Sequence, residues 1–246
     1  MPAQRVFGVA VDEYDMEGAV QAILDLLDAH RQDPGRPAAL VVTVNPEFLM
    51  RARKDPAVRR ALGGATVRLA DGSGVVWALR RRGRPATRVA GADLVPPLAT
   101  ALAGPGYSLY LLGAGPGVAE TAASRLRARH PTLQIVGAEA GSAREADDEA
   151  QAARVRASGA DLLLVAFGAP KQELWIARNR DRLGVGVAIG VGGTLDFLAG
   201  RVRRAPPTWR RAHLEWTWRL LREPWRARRM AVLPGFALLV LLGRDR

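Results

Sequence analysis

The sequence predicts an α/β fold, a doubly wound and mostly parallel sheet, followed by a basic helical C-terminal appendage. Three observations carry this expectation. Apolar strand-like runs alternate with segments of helical periodicity through the first 200 residues, the pattern of a parallel sheet with helical crossovers. The stretch LVVTVNPEFLMRARKDPAVRRALGGATVRLADGSG, residues 40–74, twice drives a buried-looking run into a polar loop that opens a helix. A chain of 246 residues, 48% of them hydrophobic, can bury the core of one large α/β domain or two small ones. The composition changes at residue 201, so residues 1–200 are expected to form the α/β core and 201–246 an Arg- and Trp-rich appendage.

Residues 5–11 read as a strand. Residues 16–29 read as an amphipathic helix, with Ala19, Ile23, Leu26 and Leu27 at helical spacing behind the N-cap candidate Asp15. The strand expected over 38–44 ends in Thr43-Val44-Asn45-Pro46-Glu47. Asn45 is a good N-cap, and Pro46 fits the first helical turn, where its missing N–H would have had no partner. Asp55-Pro56 then starts a second short helix. The strand expected over 65–69 ends in Asp71-Gly72-Ser73-Gly74, whose glycines let backbone approach a ligand closely. Ligands of open parallel sheets sit beyond the carboxyl ends of the strands, so these two loops put Thr43, Asn45 and Asp71 on one rim. Asn45 and Asp71 each read equally well as a simple helix cap, but Asp71 directly follows an apolar run and has small residues on both sides.

A helix through Trp77 and Leu79 runs into Arg80-Arg81-Arg82, a basic end that suits the helix dipole. RVAGADL, residues 88–94, leads into the next helix; Arg88 reads equally as a ligand-binding group and as an ordinary surface arginine. A strand over 107–112 is followed by Gly113-Ala114-Gly115-Pro116-Gly117, a turn whose amides can meet a phosphate. Its GxGxG spacing is not the GxGxxG dinucleotide fingerprint, and Glu139, beyond a strand expected over 132–136, is a weak ribose-binding acid. A nucleotide-proximal turn and a purely structural one are equally good readings. Residues 143–157 are expected as a solvated helix with Asp147 and Asp148 exposed. A strand over 161–167 passes into Gly168-Ala169-Pro170-Lys171-Gln172-Glu173, where Lys171 and Gln172 open a helix just past a strand end. The last strand, over 184–190, turns through Gly192-Gly193-Thr194 into another helix.

The absence of Cys excludes disulfides and thiolate metal sites, and His30, His130 and His213 show no metal-ligand spacing. The net charge of +12 is uneven: residues 201–246 hold 12 Arg and 3 acids, a net +9. Such a block seeks phospholipid, nucleic acid or a pyrophosphate ligand. In the appendage Trp209, Trp216 and Leu220 lie near one another on a helical wheel, with Arg219 and Arg222 between apolar positions. That pattern serves a packed helix and a membrane-interface segment alike. The N-terminus lacks the basic start and apolar run of a signal peptide, which leaves the cytoplasm as the expected compartment. The most apolar stretch, 231–242, is short for a spanning helix and is broken by Pro234-Gly235. Truncation at Pro206 is expected to leave the sheet domain folded.

Seven pieces, VVTVNPEF, LADGSG, RVAGADL, LLGAGPGVAE, VAFGAPKQELWI, VGGTLDFLAG and RRAPPTWRRAHLEWTWRLLREPWRARR, occur in an order that resembles the WecG/TagA/CpsF glycosyltransferases of bacterial cell-surface polysaccharide synthesis. The resemblance covers nearly the whole chain. It implies a Rossmann-like core and an inverting transfer that is metal-independent and needs no cofactor. The sugar, typically an N-acetylmannosamine-type unit, would pass from a UDP-sugar donor to a polyprenyl-pyrophosphoryl-sugar acceptor at the cytoplasmic face of the plasma membrane, where the enzyme binds peripherally. By the family's pattern Asp71 is the base and Thr43 an active-site residue, and Asn45 and Gln172 line the nucleotide-sugar pocket. Arg210, Arg219, Arg226 and Arg229 belong to an appendage that closes over the active site at an anionic membrane surface. Arg88, Gly113, Gly115 and Lys171 complete the candidate substrate-binding set.

The chemistry is coherent, since a positioned carboxylate can take the attacking hydroxyl's proton while arginine forks neutralise the departing diphosphate. Two other readings are an NAD(P)-dependent oxidoreductase, suggested by the Gly113 turn, and a basic nucleic-acid-binding protein, suggested by the tail. The glycine spacing counts against the first, and the absence of a recognisable nucleic-acid module against the second. The donor sugar, the acceptor sugar and the oligomeric state, a homo-oligomer included, stay open.

Overall fold

The computed structural model describes residues 4–206, 208–209, 215–222, 224 and 227–245. The chain opens with an antiparallel hairpin, β1 (Gln4–Val6) and β2 (Val9–Val11), in place of the single strand expected over 5–11. Phe7 and Gly8 both adopt left-handed backbone, with φ of 52° and 77°, and such a two-residue turn matches the twist of a hairpin. The glycine meets this at no steric cost. The phenylalanine is held there by burial, its ring packed edge-on against Phe236 at 5.5 Å.

After α1 (Met16–Gln32) the chain alternates as expected. The remaining strands are β3 (Ala39–Val44), β4 (Val67–Ala70), β5 (Ser108–Gly113), β6 (Gln134–Glu139), β7 (Leu162–Ala166) and β8 (Val187–Gly190). The helices between and after them are α2 (Pro46–Ala52), α3 (Pro56–Gly63), α4 (Ser73–Arg81), α5 (Gly91–Ala103), α6 (Val118–Arg129), α7 (Asp148–Ala157), α8 (Lys171–Asn179) and α9 (Thr194–Leu198). β3 to β8 form one sheet in the order β4-β3-β8-β7-β5-β6, parallel throughout. The sheet is Rossmann-like: β5 feeds β6 at one edge while β7 feeds β8 toward the other, so the connections diverge at the carboxyl ends of β5 and β7.

Strand periodicity explains why both faces are covered. Leu40, Val42, Leu112, Leu163 and Val165 pack into one layer with the hairpin, α2, α3, α4 and α8, whereas Val41, Leu109, Leu111, Leu164 and Ile189 face α1, α5, α6 and α9. Each such side chain contributes about 1.5–3 kcal/mol by leaving water. The helix starts follow the sequence: Asp15 accepts from the Gly18 N–H at 2.8 Å, Asn45 from Phe48 N–H at 2.9 Å, and Asp55 from Ala57 N–H at 3.0 Å.

Two expectations are corrected. Asp148 is buried, not exposed, because α7 turns it toward the guanidinium of Arg178, with which it forms a bidentate ion pair. Glu139 ends β6 instead of following a strand, and its carboxylate is paired with Arg154 at 3.1 Å. The apolar stretch near the C-terminus packs against the domain. The helix Leu233–Leu241 lays Phe236 and Val240 into the core beside α2, and Asp245 closes it by accepting from the Phe7 N–H through its backbone and pairing with Arg82 through its side chain. Truncation at Pro206 would remove Phe236 and Val240 from that core.

Candidate active site

The carboxyl edge of the sheet gathers the loops that follow β4, β3, β8, β7 and β5, in that spatial order. At its β4 end Asp71 donates its backbone N–H to Val44 O at 2.8 Å, which locks the loop after β4 to the end of β3. α4 opens on Gly72, which has no side chain to cap it. The Asp71 carboxylate, one residue earlier, lies 3.9 Å from the Arg88 guanidinium, with a quarter of the side chain open to solvent. Glycine is required behind it. A Cβ on Gly74 would meet Pro46 Cγ at 2.7 Å, and Gly72 has φ of 84° against Pro46 at 3.4 Å, so the Asp71 loop is pressed onto the start of α2.

Arg88 reaches this place because the segment before α5 runs alongside β4, with Val89 N–H donating to Ala70 O at 2.8 Å. Its guanidinium also pairs with Asp93 at 2.6 Å, and Asp93 in turn holds Arg204 at 2.8 Å. The chain after α9 is thereby tied to the same corner. Asp93 and Arg204 were not among the candidates; they lie 111 residues apart, and no local pattern links them.

Next along the edge, Thr43 is buried at the end of β3 in register with Leu69, and Asn45 caps α2 through its side-chain carbonyl. Between β8 and β7 the arrangement turns on Gln172. Its carbonyl oxygen accepts from Gly168 N–H at 3.1 Å and Gly192 N–H at 3.0 Å, pinning the loops after β7 and β8 together, and its NH2 donates to Glu173 at 2.8 Å. Glu173 is fully buried, and burial pushes its carboxyl up to about 7 against the lowering effect of the Gln172 hydrogen bond. Neither side chain is the solvated group that a polar helix start suggests. Gly190 is the visible signal: a Cβ there would meet Gln172 Nε2 at 2.5 Å and Glu173 Oε1 at 2.7 Å. Lys171 is exposed at the mouth of this loop.

At the far end Gly113 has φ of 114°, and a Cβ on it would lie 2.7 Å from the Ala166 carbonyl carbon, so close strand packing already explains that glycine. Arg201 covers the rest of the turn, donating to Pro116 O at 3.0 Å. Asp71, Arg88 and Asn45 thus share one corner, while Lys171, Gln172, Gly113 and Gly115 stand on loops farther along the rim. Four strand spacings separate β4 from β5, about 19 Å at ~4.8 Å each, so only an extended ligand could touch both ends. Arg210 and Arg226 lie outside the described residues. Arg219 and Arg229 fall in the helices Glu215–Arg222 and Ala227–Met230, but their side chains too lie outside the described residues. Among the described residues no three His, Asp or Glu side chains gather as a metal site.

A parallel sheet whose carboxyl edge holds a part-exposed carboxylate, arginines and opposed glycine loops belongs to the class of folds that seat phosphorylated ligands along that edge. More narrowly, the chain belongs to the glycosyl transferase WecG/TagA/CpsF family, whose model matches residues 4–246. It is therefore a glycosyltransferase of cell-surface polysaccharide synthesis.

Proposed function

We propose that the chain moves a sugar, an N-acetylmannosamine-type unit, from a UDP-sugar to a polyprenyl-pyrophosphate-linked sugar, inverting the anomeric centre without a metal. The observation that carries this reading is the Asp71 carboxylate just beyond β4, a quarter open to solvent and 3.9 Å from the Arg88 guanidinium. An acceptor hydroxyl attacks the anomeric carbon as the bond to UDP breaks on the opposite face. The hydroxyl proton passes to Asp71, a general-base role worth roughly 10²–10⁴ in rate. Negative charge grows on the departing diphosphate, and arginine forks answer it. Arg88 serves at the Asp71 corner, and Arg210, Arg219, Arg226 and Arg229 serve from the appendage, which closes over the site. Thr43, Asn45, Lys171, Gln172, Gly113 and Gly115 line the donor side of the rim.

The setting is the inner face of the plasma membrane, reached peripherally. No helix among the described residues is long and apolar enough to cross a bilayer. The net +9 of residues 201–246 and the exposed Leu221, Leu238, Leu241 and Leu242 support attachment to an anionic surface. The test is a panel of UDP-sugars offered with a short-chain polyprenyl-pyrophosphoryl sugar, with and without EDTA, reading the product's anomeric configuration by NMR. One donor should give an inverted product undiminished by chelation. No transfer from any UDP-sugar, together with NAD binding in a titration, would favour the oxidoreductase reading; salt-dependent binding to DNA but not to anionic vesicles would favour the nucleic-acid one.

A further inference from the structure

Two grooves beside α4 meet at Arg81, and together they order distinct chemistries along one path. The first, about 550 Å³, is lined by Ser73, Val76, Trp77, Arg80 and Arg81 of α4 and by Arg88, whose guanidinium lies 3.9 Å from Asp71. These α4 positions stand at i, i+3, i+4, i+7 and i+8, so they form one continuous helix face. At 1.5 Å per residue Arg80 lies about 10 Å along the axis from Ser73. The second groove, about 780 Å³, is lined by Arg81, Arg84 and the Arg82–Asp245 ion pair together with Val240, Leu241 and Leu242. Trp77 is 38% exposed, and Leu241 and Leu242 are 54% and 58% exposed, so their apolar surface is open to a ligand.

We propose that this path is the acceptor's binding track. The acceptor sugar lies over Trp77 with its hydroxyl at Asp71, the diphosphate rests against Arg80 and Arg81, and the first part of the hydrocarbon chain runs along Leu241 and Leu242. The inference rests on the reaction proposed above and adds where the acceptor sits. An indole offers a flat apolar face to the C–H face of a sugar ring. Arg80 is already oriented, since its Nε and Nη2 donate to Ala86 O at 3.0 and 2.8 Å, which leaves the Nη1/Nη2 edge of the guanidinium to meet phosphate oxygens. The order of the path, carboxylate, aromatic ring, arginines, leucines, is the order of the parts of a diphosphate-linked polyprenyl sugar. A nucleotide sugar has the diphosphate but nothing for the leucines. Bilayer headgroups would meet the arginines and leucines but have no use for a tryptophan beside Asp71.

The test compares a water-soluble short-chain acceptor with a long-chain one in detergent, for wild type, Trp77→Ala, Trp77→Phe, Arg81→Gln and the double variant Leu241→Asp/Leu242→Asp. Trp77→Ala and Arg81→Gln should raise KM for both acceptors about tenfold and move the donor KM less than about twofold, as loss of a local contact to one substrate requires. Trp77→Phe, which keeps an aromatic face, should recover most of that loss. The leucine double variant should raise KM roughly fivefold more for the long-chain acceptor than for the short one. Unchanged thermal unfolding shows that each variant is folded. Acceptor KM values that stay put in Trp77→Ala and Arg81→Gln, or that move equally with donor KM, overturn the track. Defects confined to assays on vesicles would assign the surface to the bilayer instead. If wild type transfers to neither acceptor, the reaction and the track fall together; if it transfers but the variants are indifferent, the track falls alone.

Discussion

Glu173 shows how a buried group ties the rim to pH. Its Oε1 accepts from Gln172, its Oε2 has no hydrogen-bond partner, and burial lifts its titration to about 7, against about 4.3 for an unfolded glutamate. A carboxyl whose folded value is raised keeps its proton longer when folded. Its effect on stability is therefore absent below about pH 4, turns unfavourable as pH rises from about 4 to about 7, and is constant above that. Glu173→Gln removes this ionisation. The stability of the variant relative to wild type, measured by urea unfolding, should rise by roughly 3 kcal/mol between pH 4 and pH 8. A difference that stays flat with pH would mean that Glu173 ionises freely in the fold. None of this was legible in Lys171-Gln172-Glu173, which looks like a solvated helix start; the inward turn of two polar side chains depends on Gly190, from a different strand, leaving space for them.

Among the elements, what could be read was what is periodic or capped. The strands ending at Val44 and Ala70, the caps Asn45 and Asp55 and the prolines that follow them are local matters, and each formed within a residue or two of its expected bounds. The elements that departed depend on partners distant in sequence. The Phe7-Gly8 turn needs Phe236, Asp148 needs Arg178, and the last helix needs the hairpin and α2. Phe236 is the measurable case. Phe236→Ala should destabilise the protein by about 3–5 kcal/mol in chemical unfolding, the usual cost of emptying a core aromatic site. A loss under about 1 kcal/mol would return this helix to the status of a detachable tail.

For the molecule as a whole, the doubly wound sheet was legible because buried parallel strands announce themselves as apolar runs, and the fold then determines which loops share an edge. The sequence placed Asp71, Thr43 and Asn45 on that edge; it did not reveal that Asp93 links Arg88 to Arg204, because ion pairs across 111 residues leave no local pattern. What unites these scales is a carboxylate that the fold holds at the sheet edge, part-exposed and beside Arg88. The most direct measurement is the turnover of Asp71→Asn on a short-chain polyprenyl-pyrophosphoryl acceptor, taken together with its UDP affinity by calorimetry. Asp71 as the base predicts a loss of about 10²–10⁴ in kcat with UDP affinity and unfolding temperature essentially unchanged. Near-normal turnover in Asp71→Asn would contradict it.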